Sequence, residues 1–75
     1  MPNKKISPDR LMARIATLRR RHQDIDMRVE NEQSRAAPDT VKLRQLKQER
    51  LGLKDAIHVT HAMLVRATAR QSELA

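Results

Sequence analysis

The chain has 75 residues and contains no Cys, Phe, Tyr or Trp, which excludes disulfide staples, thiolate metal centres and an aromatic core. A single Gly, three Pro and 33% charged residues point to long helices or coiled coil. A formal net charge of +7 favours polyanionic partners, such as nucleic acid, anionic lipid or an acidic protein.

Residues 1–6, MPNKKI, read as a flexible basic tail. No apolar run follows the lysines, so the segment is not read as a signal peptide. No stretch approaches the roughly 18 apolar residues of a membrane span. The expectation is a cytoplasmic protein that does not enter the membrane.

"SPDR" then marks a helix start. Ser7 is a candidate N-cap, Pro8 suits the first helical position, and Asp9 favours the positive helix end. Leu11, Ile15, Leu18, His22, Ile25, Val29 and Glu32 follow at alternating steps of four and three. That is a heptad seam, with Ile15, His22 and Val29 at a and the others at d. Pro38 in "SRAAPDT" predicts that helix one ends near residue 36, giving a helix over about 8–36 and a turn over about 37–39. Either Asp39 or Thr40 can cap the next helix.

Helix two is predicted over about 40–70, with a frayed tail at 71–75. Its seam runs Leu43, Leu46, Arg50, Leu53, Ile57, Thr60, Leu64 and Ala67. Two long helices joined by a short connection lie antiparallel. A turn centred between Ala37 and Pro38 pairs residues whose numbers sum to about 75. The register brings Asp24, Asp26, Glu30 and Glu32 opposite Lys42, Arg44, Lys47, Arg50 and Lys54. It predicts Asp26 facing Lys47 and Arg28 facing Glu49. Such exposed pairs contribute only about 0–1 kcal/mol each, but they disfavour other arrangements.

The stretches "RHQDIDMRV" and "LKQERLGLKDAI" resemble the YdcH-like family of small bacterial proteins. The likeness spans roughly Leu11 to Leu64, and the second stretch is its more specific part. The matching residues are His22, Asp26, Leu46, Lys47, Leu51, Leu53, Lys54, Asp55 and Ile57. Glu49 and Ala56 depart from the family's common Lys and Glu. The resemblance implies a helical hairpin of uncharacterised function and no known reaction.

No catalytic, cofactor-binding or metal site is expected. Ser7, Ser34 and Ser72 sit at a cap, near the turn and in the tail, and no general base stands at helical spacing from them. His58 and His61 are surface neighbours with Asp55, but no fourth ligand converges on them. His22 reads as a half-buried seam residue with one ring nitrogen on a neighbouring side chain. Arg50 reads as a seam residue whose stem covers apolar surface, with Glu49 and Asp24 as candidate partners.

Two surfaces remain. Arg14, Arg21, Arg28 and Arg35 recur every seven residues, and from Arg10 to Arg21 no acid intervenes. Arg14, Arg19, Arg20 and Arg21 are the candidate polyanion-binding residues. With no aromatics to stack bases, any nucleic-acid binding would be electrostatic and not sequence-specific. Helix two carries Leu51, Gly52, Val59, Met63 and Val65 off its seam, and Gly52 suggests a close approach. At Gly52 the approaching group is left open, and these five residues are the candidate oligomer or partner face. The expected architecture is therefore an all-α antiparallel two-helix coiled-coil hairpin that pairs into a dimeric four-helix bundle. Its function is expected to be that of a non-catalytic interaction module, with a nucleic-acid-binding accessory protein as the alternative.

Overall fold

The structure is a computed structural model that describes the backbone of residues 7–74 and the side chains of residues 7–70. The expected tail at residues 1–6 lies outside the described residues. Two helices, α1 (Pro8–Gln33) and α2 (Thr40–Leu74), pack as an antiparallel hairpin, and the described residues include no strand. The molecule is a rod of 58 × 21 × 14 Å.

Local chemistry sets the helix ends. The Ser7 hydroxyl accepts the Arg10 backbone N–H at 3.3 Å, with Pro8 and Asp9 in the first turn. This satisfies one of the donors that a helix start leaves open. Helix α1 stops at Gln33, three residues before the predicted position. Pro38 does not set this end. Ser34 caps the helix in the α region, donating its backbone N–H to the Glu30 carbonyl at 3.0 Å and its hydroxyl to the same oxygen at 2.8 Å. The turn is accordingly longer than predicted, running from Ser34 to Asp39. Asp39 is the cap of α2, because its Oδ1 accepts the Lys42 backbone N–H at 3.0 Å. Helix α2 continues to Leu74, past the predicted end at Arg70, so the segment expected to fray is helical over residues 71–74. No Gly or Pro interrupts the chain there.

Along α1 the buried residues are Leu11, Ile15, Leu18, Ile25, Val29 and Glu32, and His22 is half-buried. Along α2, Leu46 and Thr60 are buried, while Leu43, Arg50, Leu53, Ile57, Leu64 and Ala67 are half-buried. Burying a Leu, Ile or Val side chain stabilises by about 1.5–3 kcal/mol. The Thr60 hydroxyl donates to the Ala56 carbonyl at 2.7 Å, so a polar residue sits in the seam without an unmet hydrogen bond. Ile25, Val29 and Leu46 form a cluster with Leu43 and Leu53 packed against it. Six hydrophobic residues are buried among those described. That is a small core for a chain of this length, close to the limit below which a domain needs a further source of stability.

Candidate functional site

The most closely held polar group lies beside the turn. Glu32 occupies a seam position and is only 4% exposed. A carboxylate so placed must be matched by donors or neutralise itself. Its Oε2 accepts the Asp39 backbone N–H at 2.9 Å. Arg35 donates to both of its oxygens at 3.1 and 3.2 Å, and Lys42 Nζ stands 3.5 Å from Oε1. The carboxyl is held below its ordinary value, chiefly by the Asp39 N–H. Burial opposes this, and Arg35 and Lys42 assist it. Glu32 therefore ties the end of α1 to the start of α2. The sequence placed Glu32 in the seam, but the clamp was missed. The available signal was an acid at d flanked by Arg35, Lys42 and an Asp39 cap.

A second polar node lies about two helical turns from the loop end of α1. Arg50 donates to Asp26 Oδ1 at 3.1 Å, and His22 Nδ1 lies 3.4 Å from Asp26 Oδ2. The predicted partner assignments need correction here. Asp26 engages Arg50, not Lys47, and Arg50 engages neither Glu49 nor Asp24. Arg28 pairs along its own helix with Asp24 at 3.3 Å, not across to Glu49. Local geometry explains both outcomes. Residues four apart on a helix already lie together, and a seam arginine reaches the edge of the facing helix with little extension. The cross-helix contacts Asp26–Arg50 and Glu32–Lys42 join residues whose numbers sum to within one of 75, as the predicted register requires.

The heptad-spaced arginines divide in two. Arg28 and Arg35 are engaged by Asp24 and Glu32. Arg14, Arg19, Arg20 and Arg21 are exposed and have no carboxylate within ion-pair distance among the described residues. They wrap the outer side of α1 and do not form one line. Arg14 and Arg21 share a stripe, Arg19 lies on the opposite edge, and Arg20 lies between.

On α2, Leu51 is 60% exposed, Val59 61%, Met63 40% and Val65 54%. A helix turns by about 100° per residue, so these residues do not share one face. Leu51 and Val65 lie on one stripe, while Gly52, Val59 and Met63 lie on another. Within the hairpin nothing approaches Gly52, since a Cβ there would meet no atom within 4 Å. The close approach expected at Gly52 is thus absent from the single chain.

Among the described residues, no group of three or more His, Cys, Asp or Glu is placed to hold a metal ion. None of the described helices is long and apolar enough to cross a membrane. Neither the curated proteins nor the solved structures contain a match to this chain. A protein-family model described as "Protein of unknown function (DUF465)" matches residues 15–59.

Proposed function

The chain belongs to the DUF465 family, and on that premise we propose that it is a non-catalytic helical-hairpin interaction module that pairs with a second copy through the outer side of α2. The family includes YdcH-like proteins, and the stretch "LKQERLGLKDAI" favours placing this chain among them. The observation that carries the reading is the uncharged stripe of Gly52, Val59 and Met63 on a helix whose opposite side already packs on α1. Between Gly52 and Met63 this stripe carries no charged side chain, and Gly52 lets another helix approach closely. A core of six buried hydrophobic residues among those described leaves a small domain that gains from association. Pairing two hairpins along α2 gives a four-helix bundle.

Light scattering at tens of micromolar should return the mass of a dimer, and Val59→Glu or Met63→Glu should return that of a monomer. A strict monomer in the wild-type chain would overturn the reading.

A second reading has its own observation. Arg14, Arg19, Arg20 and Arg21 are exposed and without an acidic partner among the described residues, which suits phosphates spaced along a nucleic acid. A gel-shift titration with duplex DNA and RNA at low salt tests it. The shift should weaken when these four arginines are neutralised, and an unchanged shift removes them from the interface.

A further inference from the structure

Two shallow grooves follow one another along α2 and meet at Leu51. One is lined by Leu43, Arg44, Lys47 and Leu51, with Thr40 and Gln48 at its edges. The other lies between Leu51, Lys54, Ile57 and the His22–Asp26–Arg50 node, with His58 alongside. Their floor is aliphatic, from Leu43, Leu51 and Ile57. Their rims carry four cations, Arg44, Lys47, Arg50 and Lys54, against the single carboxylate of Asp26, which Arg50 already engages. Arg44, Lys47 and Lys54 have no carboxylate within ion-pair distance among the described residues.

We propose that this surface binds an acidic amphipathic helical segment of another protein, with an apolar side chain of the segment seated on Leu51 and its carboxylates on Lys47 and Lys54. Charge decides the occupant. A second copy laid symmetrically on the same surface would set Arg44, Lys47 and Lys54 against their own equivalents, and like charges brought together disfavour a partner. A bare polyanion satisfies the rims but leaves the aliphatic floor uncovered. A segment with leucines on one side and glutamates flanking them meets both demands, in the manner of a helix laid in a groove. This surface is separate from the Gly52 stripe, so the proposal does not rest on self-association.

The experiment uses the full-length chain and a fluorescein-labelled peptide with leucines at helical i, i+4 spacing and glutamates elsewhere. Fluorescence anisotropy is read against a leucine-free glutamate peptide and a short single-stranded DNA. The amphipathic peptide should bind more tightly than either. Leu51→Ser and the double variant Lys47→Glu, Lys54→Glu should each weaken its binding by about tenfold or more. All three residues are exposed, so the variants retain the hairpin, which circular dichroism verifies. Absence of peptide binding at a few hundred micromolar overturns the proposal. So does equal binding by polyglutamate or DNA that ignores Leu51→Ser, which assigns the surface to charge alone and favours nucleic acid. The dimer mass is measured without peptide, so either idea can fail while the other stands.

Discussion

At the turn end of the hairpin, acidic side chains hold several of the cations, while Arg44 and Lys47 stay outside these pairs among the described residues. Glu32 engages Arg35 and Lys42, Asp26 engages Arg50, and Asp24 engages Arg28. At the open end, Arg10, Arg14, Arg19, Arg20 and Arg21 have no such partner among the described residues. The apolar seam does not differ in this way, since Leu11, Ile15 and Leu18 at the open end are as buried as Ile25 and Val29 near the turn. The two ends share one packing scheme and differ in what their charges do. A carboxylate buried in the seam must be answered by the protein itself. Arginines on the outer side are exposed, and the protein itself need not answer them.

Truncation of the seam should have the largest effect and should be similar at both ends. Ile25→Ala and Leu11→Ala are each expected to cost about 2–5 kcal/mol in urea unfolding. A loss at Leu11 far below that at Ile25 would show that the open end packs less firmly than its burial implies.

The next effect belongs to the turn end alone. Glu32 has its carboxyl pKa lowered in the folded chain from a reference near 4.5. Its contribution is therefore complete above that reference and is lost as pH falls through the lowered folded value. Wild-type stability should exceed that of Glu32→Gln at neutral pH, and the gap should narrow steadily on acidification. Thermal melts at a series of pH values down to the acid limit check this, and a gap independent of pH would break the clamp argument.

Gly52→Ala tests a third region, the outer side of α2. The methyl group meets open space in the single chain, so helix propensity alone predicts a gain of about 1 kcal/mol. If two chains pack closely over this position, the same change should weaken the dimer even though it strengthens the helix. Unfolding at low protein concentration and mass measurement at high concentration separate the two effects.

The smallest change is expected at the arginines. Arg14→Gln with Arg21→Gln should alter stability by less than about 0.5 kcal/mol, because no carboxylate partner is lost. Arg50→Gln, which releases Asp26 at a half-exposed site, is expected to cost about 0–1 kcal/mol. A destabilisation by the open-end pair that matches Arg50→Gln would erase the contrast between the ends.

The hairpin itself was legible in the chain. Steps of three and four set Leu11 to Glu32 and Leu43 to Ala67 on inward stripes, and Pro38 between two helical patterns fixed the fold-back. The antiparallel register followed, because sliding one helix by a residue would rotate its seam out of the interface. Particular contacts were less legible. Lys47 and Arg50 both stand near Asp26, and spacing cannot say which one it meets. The end of α1 was misplaced because a serine cap and a carboxylate clamp act before Pro38 has any effect. The candidate surfaces were legible as residue types, and the helical repeat alone already divides them into separate stripes. Leu51 and Met63 fall on one roll of off-seam residues, yet they lie on different sides of α2.

Sequence alone thus determined the all-helical class, the two seams and their pairing, because heptad periodicity and a helix-breaking residue act locally and repeat along the chain. Only the tertiary structure decided that Glu32 closes the turn and that Asp26 takes Arg50. Those outcomes depend on distances of a few ångströms between side chains from two helices, and residue spacing along one helix does not contain them.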